Sequence, residues 1–280
     1  LSLSVVRRLS SPRGRWSVAV TTPVLQARFL SRTFGGLEAL ADVSFAVPAG
    51  GVLAVIGPNG AGKSTLLDVL SGHLPPSAGR VLLDGVDVSG LPPSELARRG
   101  VGRTFQHPRL FAKLSLAEQV ALGPMHARGL RPGRALLEAE ELLARVGLVA
   151  RAGERPGALE PHEVARLELA MALSTGSRVL LLDELLAGLD REDVDSLVEL
   201  IPELAREGRA VVVVDHVIGA VQRLADRVVV LLGGSVLLEG PQAEVLGDRR
   251  VVEAYLGQRY HHLQPFDARR AVGEDRPPPC

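Results

Sequence analysis

The sequence predicts an α/β protein whose core is a largely parallel sheet with helices on both faces. Three observations carry that prediction. Short, wholly apolar runs of strand length recur at residues 52–56, 179–182 and 211–214. Helical patterns follow them, and this alternation implies parallel strands joined by crossover helices. Between about 108 and 176 the pattern is helical with little strand signal, so a helical subdomain is expected to be inserted there.

The elements follow in order. Residues 24–29 and 43–47 read as strands joined through a turn at Gly35-Gly36, the start of an antiparallel β portion. Residues 52–56 form a buried strand bounded by Gly50-Gly51 and Gly57, and a helix is expected from Gly62 to about Leu70. Residues 81–83 make another strand, with a turn at Asp84-Gly85, and Pro92-Pro93-Ser94 opens a short helix. Helices are expected at 114–122, 135–146 and 164–173, with Leu136, Leu137, Leu143 and Val146 at helical spacing and Gly147 ending the second. Strand and helix then alternate through 179–182, 191–206, 210–214, 217–224 and 227–231. Residues 235–238 close the pattern after a turn at Gly233-Gly234.

Composition narrows the function classes. Of the 280 residues, 46% are apolar and 23% charged, and 32 basic residues balance 32 acidic ones. That excludes a disordered chain and argues against a coat for nucleic acid. The single cysteine, Cys280, leaves no internal disulfide framework, and a reducing cytosolic setting is expected. No segment reaches the roughly 18 continuous apolar residues that a membrane helix needs. Residues 1–22, broken by Arg7, Arg8, Arg13 and Arg15, are expected to be a tail rather than a signal peptide, and 261–280 a second tail. The folded unit is expected over 23–260.

Gly57-Pro58-Asn59-Gly60-Ala61-Gly62-Lys63-Ser64 fits G-x-x-x-x-G-K-[ST] between an apolar strand and a helix. Glycines let backbone N–H groups approach phosphate oxygens, and a helix N-terminus adds favourable partial charge. Lys63 is expected to reach the outer phosphates, and Ser64 to help hold Mg²⁺. Only Lys63 and Lys113 are lysines in this arginine-rich chain, and a compact ammonium suits this task. The strand at 179–182 ends in Asp183-Glu184, at the sheet edge where open α/β sheets bind ligands. Asp183 suits Mg²⁺ held through water, and Glu184 suits polarising an attacking water. His216, just past the strand at 211–214, is placed to touch a γ-phosphate.

Together these residues resemble the ATP-binding subunit of ABC transporters, over about residues 24–260. The resemblance implies a P-loop NTPase of the ABC type that binds ATP and Mg²⁺. It makes Phe34 the aromatic that stacks on adenine and extends the nucleotide contacts to Thr65. Gly102-Arg103-Thr104-Phe105-Gln106 is similar to the Q-loop, with Gln106 sensing Mg²⁺ and the water. Asp183 and Glu184 match the Walker B aspartate and catalytic glutamate, Ala187-Gly188-Leu189-Asp190 the D-loop, and His216 the switch histidine. Residues 103–111 and 251–257 are similar to the branched-chain amino-acid importers. The partners so implied are transmembrane permease subunits docking near 106–116, a second ATPase subunit, and an extracellular solute-binding protein. The location implied is the cytoplasmic face of the membrane. No nucleic acid is expected: a soluble member acting in translation or DNA repair usually carries two cassettes or a coiled-coil arm, and this chain has one phosphate loop.

The chain departs from the family pattern where a Leu-Ser-Gly-Gly-Gln signature is expected. It reads Leu159-Glu160-Pro161-His162-Glu163. In the family this segment caps the nucleotide of the facing subunit. Here the serine hydroxyl is lost, Pro161 has no N–H, and Glu160 brings a carboxylate toward phosphate. Leu185 stands where proline is common. An asymmetric pairing is expected, in which a different ATPase subunit supplies an intact signature. The rival expectation is a degenerate or regulatory subunit that binds ATP with little hydrolysis.

Overall fold

A computed structural model describes residues 23–215 and 217–256. Strands β1 (Leu25–Phe34) and β2 (Leu37–Val47) form a hairpin. Then come β3 (Val52–Ile56), α1 (Lys63–Leu70), β4 (Ala78–Leu83), β5 (Val86–Asp87), α2 (Pro93–Arg98) and β6 (Val101–Arg103). The helical stretch holds α3 (Leu116–Arg128), α4 (Pro132–Arg145) and α5 (Pro161–Ser174). Beyond it lie β7 (Val179–Asp183), α6 (Arg191–Arg206), β8 (Ala210–Val214), α7 (Ile218–Leu224), β9 (Arg227–Leu232) and β10 (Ser235–Pro241). Two short helices, α8 (Gln242–Leu246) and α9 (Arg249–Leu256), follow.

The strands form two sheets. One has the order β10-β9-β3-β8-β7-β6, with β9 through β6 parallel and β10 antiparallel on its edge. The other is antiparallel, β2-β1-β4-β5. Three hairpin turns, Gly35-Gly36, Asp84-Gly85 and Gly233-Gly234, join their strands through two residues that both have positive φ. That geometry matches the strands' right-handed twist.

The parallel strands are buried on both faces, and their side chains alternate between a core shared with the antiparallel sheet and cores on the opposite face, where Ala54, Ile56, Val228 and Val230 of β3 and β9 pack with Val221 and Val245. Leu53, Val55, Leu181, Val212 and Val214 pack with Leu66 and Leu70 of α1 and with Leu25, Leu40 and Val81 of the antiparallel sheet. Leu180, Leu182, Val211 and Val213 pack on the other side with α3, α4, α5 and α6, through Leu116, Leu143, Leu167 and Ile201. The antiparallel sheet thus covers one face and the helical stretch the opposite one.

Two features go beyond the sequence reading. Residues 101–103 carry no strand signal, yet they form β6, because pairing with β7 supplies the ladder that so short a run cannot propose by itself. On α4 the buried face is Ala135, Ala139 and Leu143, while Leu136 and Leu137 are exposed. Alanines admit the close approach of neighbouring helices, so the alanine stripe turns inward rather than the leucine pair. Helices α8 and α9 were not anticipated.

Candidate functional site

The phosphate-type loop runs from the end of β3 into α1, and its glycines are required by their surroundings. Gly62 is the N-cap of α1 with φ 101°, and a Cβ there would lie 2.5 Å from the Ala39 carbonyl oxygen. A Cβ on Gly57 would lie 2.3 Å from the Leu231 carbonyl oxygen. The loop is therefore pressed between both sheets, where any side chain at these two positions would displace backbone. Beside it opens a cleft of about 640 Å³. Asn59, Gly60, Gly62, Lys63, Ser64 and Thr65 line one side, and Phe34, Gln106 and Glu184 complete the wall with the Gly233-Gly234 turn. Gly57, Pro58 and Ala61 lie behind this lining.

Lys63 is 8% exposed and folds over its own loop. Its Nζ donates to the carbonyl oxygens of Gly57 at 2.8 Å and Pro58 at 3.0 Å. Burial pushes its pKa below the usual lysine range, and Glu184 and Asp183 act in the opposite direction.

The two acids that end β7 have different surroundings. Asp183 is 4% exposed, and its N–H donates to Thr104 Oγ1 at 3.0 Å. Arg103, reaching across from β6, donates through Nη2 to Asp183 Oδ2 at 3.0 Å. Arg103 Nη1 donates to Asp68 Oδ1 at 2.6 Å and to Ser71 Oγ at 2.7 Å, both on or beside α1. Burial raises the Asp183 pKa, with Arg103 opposing it. Glu184 instead lines the cleft. Its φ of 49° breaks the strand geometry, its N–H donates to Val214 O at 2.7 Å, and its Oε2 accepts from Gln106 Nε2 at 2.7 Å. Of the two acids at this strand end, Glu184 belongs to the cleft lining and the buried Asp183 does not.

Beyond β8, Asp215 is fully buried and accepts from Leu186 N at 3.1 Å and Val217 N at 3.0 Å. It ties the turn after Glu184 to the neighbouring strand end. His216 lies outside the described residues.

Ser64 and Gln106 bring a hydroxyl and an amide oxygen to the cleft, and the Asp183 carboxylate, next to Glu184 in sequence, is buried and paired to Arg103; all three are oxygen donors, the kind a hard cation such as Mg²⁺ takes. Among the described residues no three His, Cys, Asp or Glu side chains gather closely enough to hold a metal. A cation here would therefore need hydroxyl, amide and substrate oxygens, the way Mg²⁺ is usually held beside phosphates.

Phe34 ends β1 and is 41% exposed. The segment 159–163 opens α5: Glu160 is the N-cap and Pro161 the first residue of the helix. Glu163 Oε2 accepts from Glu160 N at 2.9 Å and is paired with Arg151, which holds the Glu163 carboxyl below its usual range. His162 Nδ1 lies 3.4 Å from Asp193 Oδ2 and 3.6 Å from Glu160 Oε2.

Sequence reasoning assigned no role to Arg103, Thr104, Asp68 or Asp215. Arg103 and Thr104 stand inside a recognised motif, but their grip on Asp183 depends on β6 lying beside β7.

A family model described as ABC transporter matches residues 40–187. The chain is 35% identical over 254 residues to the high-affinity branched-chain amino acid transport ATP-binding protein BraF of Pseudomonas aeruginosa, covering 85% of this chain and 100% of that one. It is 34% identical over 254 residues to LivG, the corresponding protein of Escherichia coli K12, with the same coverage. It is 42% identical over 221 residues to the methionine import ATP-binding protein MetN of Caulobacter vibrioides, covering 77% of this chain and 66% of that one. The chain thus spans just under two thirds of the MetN length. Among solved structures, a nucleotide-free ATP-binding cassette from an ABC transporter superposes with a TM-score of 0.77 at 28% identity, covering 84% of this chain and 100% of that one. The ADP conformation of another such cassette gives 0.76 at 29% identity, covering 85% and 100%.

Proposed function

The chain belongs to the ABC transporter family, whose cassettes are ATPases, and from that premise we propose that it is the ATP-hydrolysing subunit of an importer docked on a separate transmembrane permease. The observation that carries this reading is the meeting of Phe34, Lys63, Ser64, Gln106 and Glu184 around one cleft at the C-terminal edge of the parallel sheet. Among the described residues no helix is long and apolar enough to cross a membrane. A location on the cytoplasmic face, through the permease, follows from the reading.

The backbone N–H groups of residues 59–65, in the loop and at the start of α1, receive the triphosphate, and Phe34 stacks on the base. Lys63 exchanges its two carbonyl partners for phosphate oxygens, gaining charge-assisted hydrogen bonds of about 1.5–3 kcal/mol each. Bound Mg²⁺, held by Ser64, Gln106 and, through water, Asp183, would neutralise charge on the phosphates. Glu184 accepts a proton from the attacking water, which Gln106 orients through the amide it already places against Glu184. His216 contacts the γ-phosphate. Closing of two ATPase subunits on ATP, and reopening after hydrolysis, drives the permease between its two access states.

Branched-chain amino acids, or a related amide-like solute delivered by an extracellular binding protein, are the proposed cargo. The relatives named for branched-chain amino acid transport and for methionine import support a cargo of that class.

The start of α5 supports a mixed dimer. Pro161 has no N–H to offer, and Glu160 would face phosphate, where two like charges about 4 Å apart cost roughly 4 kcal/mol at an effective dielectric near 20. A second ATPase subunit with an intact signature would complete the nucleotide site built on Lys63 and Glu184. The reciprocal site would turn over poorly. The same α5 start favours a second reading, an ATP-binding subunit with little hydrolysis of its own. Phosphate release by the reconstituted complex separates the two. Glu184→Gln is expected to remove most turnover, and unchanged turnover would transfer hydrolysis to the other subunit.

A further inference from the structure

Phe34 lines the cleft, and a cation lies over its ring. The guanidinium carbon of Arg32 lies 4.6 Å from the Phe34 ring centroid. Arg32 and Phe34 are two apart on β1, and the register shifts in β1's pairing with β2 at Arg32 and Thr33 accompany their meeting. Phe34 lines the cleft and Arg32 does not, so the guanidinium approaches the ring from outside the cleft. Arg32 Nη1 donates to the Pro75 carbonyl oxygen at 2.9 Å, which fixes the cation to the loop after α1. Among the described residues Arg32 pairs with no carboxylate, so its charge reaches the ring undiminished by a counterion.

We propose that Arg32 is a positioning residue for the purine base: it holds the Phe34 ring flat to the cleft and draws electron density from its open face. An electron-rich base stacks more firmly on a ring depleted in this way, and a ring held in one rotamer loses less freedom on stacking. This inference rests on the nucleotide reading above and goes beyond it by assigning part of the base affinity to a residue that never touches the base.

The test is calorimetric titration of the full 280-residue chain with ATP and, separately, with inorganic tripolyphosphate, which has no base to stack. Arg32→Gln removes the charge and keeps a donor for Pro75. It is expected to weaken ATP about 3–10-fold and to leave tripolyphosphate unchanged. Arg32→Lys, which keeps a cation behind the ring, should stay within about twofold of the native chain. In a Phe34→Ala background, Arg32→Gln should have no further effect on ATP. Unchanged ATP affinity in Arg32→Gln overturns the proposal. So does an equal loss for tripolyphosphate, or a loss that persists without the Phe34 ring. Failure of the native chain to bind ATP at all would instead remove the nucleotide reading itself. Thermal unfolding of each variant accompanies the titrations, and Arg32→Met, which also removes the charge, carries the comparison against Phe34→Ala if Arg32→Gln does not fold.

Discussion

Arg103 joins three groups that lie far apart in sequence: Asp68, Ser71 and Asp183. Its side chain and that of Asp183 are both nearly buried, so removing the guanidinium strands a carboxylate in a poor solvent. Arg103→Met is expected to cost about 3–5 kcal/mol of stability by denaturant unfolding, and adding Asp183→Asn should recover part of it. Glu168 gives a pH prediction. It sits on α5 with its Oε1 accepting weakly from Phe105 N at 3.4 Å, and burial, with a smaller push from Asp183, raises its pKa to about 7. The native chain therefore keeps a proton that the unfolded chain has released by about pH 4.5. Stability from this group is complete below pH 4.5 and is lost as pH rises to about 7, a change of about 3–4 kcal/mol. Glu168→Gln should abolish that slope in thermal or denaturant unfolding measured from pH 4 to 8. At this scale the phosphate-loop residues were legible because G-x-x-x-x-G-K-[ST] is a local pattern. Arg103 and Asp215 were not, because their partners come from other strands.

At the scale of elements, the start of α5 serves the helix at the expense of phosphate contact. Pro161 is pre-set for a first turn, and Glu163 returns to the N-cap amide. Replacing Glu160, Pro161 and His162 by Ser, Gly and Gly should destabilise the chain by about 2 kcal/mol, a fall of roughly 4–8 °C in unfolding midpoint. The same variant is expected to raise phosphate release in a complex that closes this segment over a facing nucleotide. An unchanged rate would show that the segment never lies there. Long elements with full periods, such as α6 and the strands β3, β7 and β8, were legible because burial on one face or both writes itself into the sequence. The face of α4 was not, because Ala135 and Ala139 give a weaker signal than the exposed Leu136 and Leu137. β6 is three residues long, and nothing local distinguishes it from a loop.

For the molecule as a whole, alternation of strand and helix gave the fold class, but strand order had to come from the structure. That order sets β7 between β6 and β8, and so puts Gln106, Glu184 and Asp215 at one sheet edge. The purified chain alone, having only the altered α5 start to offer its own copy, is expected to bind ATP and release little phosphate. Adding a family subunit with an intact signature should restore release, and rapid hydrolysis by the lone chain would contradict the mixed-dimer proposal. Two of the cores, on opposite faces of the parallel sheet, have a mechanical consequence. β1, which ends in Phe34, and the phosphate loop pack into one of them through Leu25, Leu30 and Ala61, whereas α3, α4 and α5 pack into the other. A tilt of the helices on the back of the sheet would be a change within one core, and would leave the packing of β1 and the phosphate loop in the other core in place. The first groups to register such a tilt would be Gln106 and Glu184, whose strands act as the fulcrum.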